Sequence, residues 1–158
     1  MNDLRVPTTI LPVEIRCTDG RRFVGDIFMP AQSSRQPGPM RPDEWADTVQ
    51  TFFPFRSYEA RCRTIFNRDS VVSITVPAAV NEGDEDELLG NPVYRVGVDA
   101  GDEHFEGRAV VDMPPNQQRV VDWLNAPGLF ITVRAGVTHH LIQKRHVTRV
   151  VEIPEDEA

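Results

Sequence analysis

With 158 residues, 40% of them apolar and 26% charged, the chain reads as globular and soluble rather than disordered. Its 17 basic residues against 24 acidic ones leave a net charge of −7, which repels a phosphate backbone and disfavours nucleic acid unless one face is locally basic. No run reaches the roughly 20 apolar residues of a spanning helix, and Met1 to Pro12 lacks a basic segment followed by an apolar one. The expectation is therefore no membrane association and a cytoplasmic location.

Val13, Ile15 and Cys17 alternate with Glu14 and Arg16, which predicts a half-buried strand, and Asp19-Gly20 is a hairpin turn signal. The return strand runs from Phe23 to Met29 with Gly25 inside it. A glycine there marks a bulge, a bend or a close backbone approach. Ala31 to Met40, rich in Ser, Pro and Gln, is a surface loop. A short helix then opens on Pro42, with Asp43 and Glu44 suited to its positive N-terminal end. One or two turns are not stable alone, so the helix needs an anchor, and Trp45 supplies it. Strands are expected over Thr51 to Arg56, Ala60 to Asn67 and Ser70 to Val76. Cys17 and Cys62 fall on strands and read as free thiols, Cys17 as a small buried apolar residue.

Residues 81–91 are acidic and aperiodic and read as a linker. The same series of elements then recurs. Tyr94, Val96 and Val98 alternate, Gly101 turns the chain, and Phe105 to Val111 returns with Gly107 in the place of Gly25. A second short helix carries Trp123 and stops at Pro127-Gly128. Strands follow over Leu129 to Ala135, Thr138 to Lys144 and His146 to Ile153. Arg41 to Asp47 aligns with Arg119 to Asn125, and Phe52 to Arg56 with Phe130 to Arg134, without a gap. After a shorter turn, Ile65 to Val71 aligns with Leu141 to Val147. A repeat of this period implies two copies of one small unit. The expected fold is mainly β: two tandem five-stranded SH3-like or Sm-like barrels, each with one short helix between strands 2 and 3. They span residues 1–80 and 92–158, and units this small are expected to pack against each other.

The paired Arg-x-x-[Asp/Glu]-Trp stretches make Trp45, Trp123, Arg41 and Arg119, with Gly25 and Gly107, the expected structural anchors. Arg41–Glu44 and Arg119–Asp122 are spaced to pair at i,i+3. Arg56, Arg61, Arg63, Arg68 and Arg134 are the candidate interaction residues, able to meet a carboxylate or an anion. His139 and His140 point to opposite faces of a strand, so with His146 they do not form a metal site. Asp99, Asp102, Glu103 and Glu106 form an acidic turn that reads as solvated. The chain carries no nucleophile triad, phosphate loop or metal-spaced cysteine pair, so no catalytic residue, metal or cofactor is expected.

Gly107 to Met113-Pro114, Arg119 to Asn125, Phe130-Ile131 and Gln143 to Val150 resemble a bacterial family of small β-domains to which no activity attaches. The first half keeps Arg41, Trp45, Phe52, Asn67 and Arg68 of that pattern and has Asp47 where the family has Asn. The opening Val13 to Gly25 is also similar to the first motif of Sm-like barrels, whereas the later Sm signature is missing. These readings lead to a non-catalytic protein-interaction or scaffold module that holds a protein partner, with a homo-oligomer compatible. The alternatives are a nucleic-acid-binding Sm-like protein, which needs Arg56, Arg61, Arg63 and Arg68 on one face, and a sensor of a small anion through the same arginines.

Overall fold

The computed structural model describes residues 7–35, 37–60, 62–81 and 90–154. The chain is mainly β, and ten strands form one antiparallel sheet. The first five are β1 (Thr8–Cys17), β2 (Arg22–Pro30), β3 (Phe52–Ser57), β4 (Arg63–Asn67) and β5 (Val71–Pro77). The second five are β6 (Val93–Ala100), β7 (Glu103–Val110), β8 (Phe130–Ala135), β9 (Thr138–Gln143) and β10 (Val147–Glu152). Alternation sets which side is buried: on β3, Phe53, Phe55 and Ser57 turn inward while Phe52, Pro54 and Arg56 face out. The first strand begins at Thr8, ahead of the expected start at Val13, and contains Pro12. The missing N–H is tolerated because β5 pairs only with Glu14–Cys17, so β1 has a single neighbour at Pro12.

Across the sheet the order is β10-β6-β7-β8-β9-β5-β1-β2-β3-β4. Each set of five therefore has the same internal order, its fifth strand beside its first, and the sets are joined where β5 pairs with β9. Ser73, Ile74, Thr75, Val76 and Pro77 lie opposite Ile142, Leu141, His140, His139 and Thr138. The ladder does not close. Where two tandem barrels packed against each other were expected, the strands form one continuous sheet with β4 and β10 as its ends.

Helix α1 (Pro42–Thr48) lies between β2 and β3, and α3 (Val120–Asn125) between β7 and β8. A four-residue helix, α2 (Ala78–Asn81), closes the first half and reaches only the first residue of the expected linker. It is too short for any period to show in sequence. One-turn 3-10 helices, Arg68–Ser70 and Lys144–His146, link the last two strands of each set.

Two hydrophobic clusters fill the interior. The first includes Ile15, Ile27, Trp45, Phe53, Phe55 and Phe66, and also Phe130 and Leu141 from the second set of strands. The second includes Val96, Val98, Phe105, Val133 and Ile142, and takes Val72 from the first set. Each half thus lends side chains to the other's core. Trp45 is only 5% exposed and meets Phe53 edge-on at 5.4 Å, whereas Trp123 is half-buried at the border of the second cluster. The aligned tryptophans do not have equal burial, because α1 lies under the second half and α3 has no such cover.

Gly25 and Gly107 mark a close backbone approach. A Cβ at Gly25 would collide with the Arg56 carbonyl oxygen and stand 2.5 Å from the Phe55 ring. A Cβ at Gly107 would collide with the Arg134 carbonyl oxygen and stand 2.8 Å from Val133 Cγ1. Gly25→Ala and Gly107→Ala should each destabilise by about 1–3 kcal/mol through overpacking. Trp45→Ala should cost about 3–5 kcal/mol and Trp123→Ala clearly less. Urea unfolding of the four variants checks both expectations, and equal losses for the two tryptophans would contradict the unequal burial.

Candidate interaction surfaces

The two halves meet at the β5–β9 joint, where β8 and β9 turn one face toward the first half. Register pairs on β8 and β9 place Phe130 beside Gln143, Thr132 beside Leu141 and Arg134 beside His139, so these six side chains share one face. That face is covered by the first half: Phe130 is 8% exposed, Gln143 2%, His139 1% and Leu141 fully buried. Its polar groups are matched. Asp47, at the end of α1, accepts from the backbone N–H groups of Leu129 at 2.9 Å and Phe130 at 3.0 Å. Gln143 Nε2 donates to the carbonyls of Arg68 and Val71, each at 2.8 Å. The Asn81 side-chain carbonyl accepts from Asp43 N at 2.8 Å, and its amide nitrogen lies 3.1 Å from His139 Nδ1. An amide nitrogen only donates, so His139 accepts at Nδ1 and carries its proton on Nε2.

Beside this joint, a cleft of about 300 Å³ separates α1 from β8 and is lined by Arg41, Asp43, Glu44, Trp123, Arg134 and Lys144 among others. Burial pushes the Asp43 carboxyl above the usual range, against the opposing pull of Arg41. Arg41 approaches Asp43 at 3.4 Å, and Glu44 keeps Oε2 buried without a hydrogen-bond partner. The expected Arg41–Glu44 pairing is thus replaced. In the second copy the pairing forms: Arg119 donates from Nε and Nη2 to Asp122, both at 2.9 Å, and its backbone N–H reaches the same carboxylate at 3.1 Å. Those bonds hold Asp122 below the usual carboxylate range.

The candidate arginines have separate settings. Arg56 donates to Asp26 Oδ2 from Nη2 at 2.5 Å and Nε at 3.1 Å, and the Tyr58 hydroxyl donates to the other carboxylate oxygen. Burial pushes the Asp26 carboxyl up, but Tyr58 and Arg56 outweigh it and hold it low. Arg68 Nη1 donates to the Val49 carbonyl at 2.9 Å, and the aligned Lys144 Nζ donates to the Ala126 carbonyl at 2.5 Å. Val49 and Ala126 cap the two helices, so both cations sit at a negative helix end. Arg134 lines the cleft, Arg63 is exposed on β4, and Arg61 lies outside the described residues. Among the described residues, Arg56 and Arg63 are cross-strand partners on the outer face of β3–β4. Arg56 is matched by Asp26, and Arg68 is turned to a helix end.

The acidic turn is paired rather than merely solvated. Glu103 reaches across the halves to Arg16 at 2.7 Å. His104 lies between Asp99 at 2.6 Å and Glu106 at 2.9 Å, and Asp99 also meets Arg149 at 2.9 Å. This cluster was legible in principle. A hairpin centred on Gly101 places His104 opposite Asp99, with Glu106 two residues on along the same face. His140 faces away from His139, against the Phe105 ring at 4.9 Å and Thr75 Oγ1 at 2.9 Å. Among the described residues, no three His, Cys, Asp or Glu side chains are placed to hold a metal ion. Cys17 is half-buried beside the first cluster and Cys62 is exposed, just ahead of β4; both are free.

No known protein family, curated protein or solved structure matches this chain. Among the described residues, no helix is long and apolar enough to cross a membrane.

His104, exposed, and His140, half-buried, should have their titrations shifted in opposite directions. Hydrogen bonds to Asp99 and Glu106 raise His104 above the ordinary 6.5, whereas burial and then Arg16 lower His140 beneath it. His104 therefore adds stability below pH 6.5 that is lost as pH rises through its folded-state value. Protonation of His140 costs stability as pH falls below 6.5 toward its own folded-state value. Side-chain NMR titration should show one midpoint on each side of 6.5. Burial, with Asp19 adding to it, pushes the Cys17 thiol up to about 11, so iodoacetamide at neutral pH should label Cys62 first, read by peptide mass spectrometry.

Proposed function

We propose that this chain is a non-catalytic protein-interaction or scaffold module, and that its working surfaces are the ends of its sheet. One observation carries the reading: the outer face of β3–β4, at a sheet edge, exposes large apolar side chains between Arg56, Arg63 and Asn67. Phe52 is 61% exposed and Ile65 65%, and both lie on the outer side of the sheet's last two strands. An edge strand with unpaired backbone groups beside large exposed apolar side chains is a template for strand addition by a partner. Each half reads as an SH3-like or Sm-like unit. The shared strand order, the short helix between second and third strands and the one-turn 3-10 helix before the fifth support that reading.

The polar residues of the cleft and joint support a binding rather than a chemical role. Asp47, Asn81, Gln143, Arg68 and Lys144 hold strand and helix ends. The test is size fractionation of the native extract with wild type and with Ile65→Asp, a substitution at an exposed site that should leave the melting temperature unchanged. Wild type should migrate in an assembly larger than one chain, and Ile65→Asp should leave it. A wild type that migrates as a single chain, or a variant that stays in the assembly, contradicts the proposal.

A further inference from the structure

Resting on that reading, we infer that the partner at the β4 end is a second copy of this chain, seated on the β10 end in the geometry of the internal β9–β5 joint. The face that β8–β9 bury has an aligned counterpart on β3–β4. Register pairs there are Phe52 with Asn67, Pro54 with Ile65 and Arg56 with Arg63, matching Phe130 with Gln143, Thr132 with Leu141 and Arg134 with His139. The two positions that are large and apolar in both copies decide the matter. Phe130 at 8% exposure and Leu141, fully buried, are built into the first half's core, while their counterparts Phe52 at 61% and Ile65 at 65% stand in solvent. The first half thus carries the inserting face of the joint with nothing inserted.

The receiving surface is also present in spare form. In the joint, β9 pairs with β5 and β8 rests against α1, whose Trp45 is 5% exposed and whose Ala46 is fully buried. The counterparts in the second half are β10, which pairs only with β6, and α3, where Val121 is 49% exposed and Trp123 and Leu124 are half-buried. Asn125 stands where Asp47 accepts the backbone N–H groups of Leu129 and Phe130, and an amide oxygen can accept the same pair from Thr51 and Phe52 of a second copy.

Carrying the internal register across by aligned positions gives the contact between copies. Val76 opposite His139 becomes Glu152 opposite Arg63, and Ile74 opposite Leu141 becomes Val150 opposite Ile65. The β4 and β10 edges are therefore complementary in charge at one position and apolar at the next but one. Because the inserting and receiving surfaces differ and lie at opposite ends of one sheet, the contact is head-to-tail and repeats, giving a closed ring or a fibre.

The test is sedimentation of the purified wild-type chain over a dilution series, with Arg63→Glu, Glu152→Arg and the double exchange. Wild type should exceed the mass of one chain and dissociate on dilution. Each single exchange should weaken association on the order of tenfold or more, and the double exchange should restore it. At dilutions where wild type has dissociated, all four should melt alike, since Arg63 and Glu152 are exposed. A wild type that is monomeric throughout, or a larger species unmoved by the exchanges, overturns the inference. If the purified chain is monomeric while Ile65→Asp still leaves the native assembly, the interaction reading stands and only the second copy is wrong.

Discussion

Pairing of β5 with β9 is the constraint on which the rest depends. A unit of this size buries little of its own surface, and each half makes good the deficit with side chains from the other. Phe130 and Leu141 complete the first core, and Val72 completes part of the second. Full burial of one such side chain contributes about 1.5–3 kcal/mol, so the exchange is large against the stability of a small domain. Neither half's core is closed without the other.

Register at that joint is fixed by polar groups more than by shape. A slip of one residue would turn His139 outward and remove the Asn81 amide from its partner. It would also separate Gln143 from two carbonyls and Asp47 from two N–H groups that would then be buried unsatisfied. Apolar contact supplies most of the attraction, and the hydrogen-bonded side chains choose one alignment. The same division explains the unequal arginines. Arg68 and Lys144 serve helix ends in both copies, while Arg41 and Arg119 differ because only α1 lies beneath the other half.

Much of the local structure was legible. Alternation placed the strands, and paired glycines at the same point of the second strand foretold the close approach that the Arg56 and Arg134 carbonyls make. What was not legible arises from the joint. Alignment predicts equal settings for aligned residues, yet Ile65 and Leu141 have opposite exposure, as do Phe52 and Phe130. No periodicity within a strand reports which strand of another half it will meet. The expected i,i+3 partnership of Arg41 with Glu44 failed for the same reason: its counterpart on α3 is solvent-exposed and its own position is covered.

Sheet edges ordinarily carry short strands, charge or proline to prevent pairing with other chains. Here β4 has only five residues and begins with Arg63, which fits that pattern, but Ile65 at its centre does not. At the other end, Val151 is 42% exposed beside Glu152. A blunted edge would be charged on both sides without regard to sign. These edges instead carry opposite charges at positions that the internal register makes partners, flanked by apolar side chains. That pattern discourages random pairing while leaving one pairing open, and the open one is the arrangement the chain already uses to join its own halves.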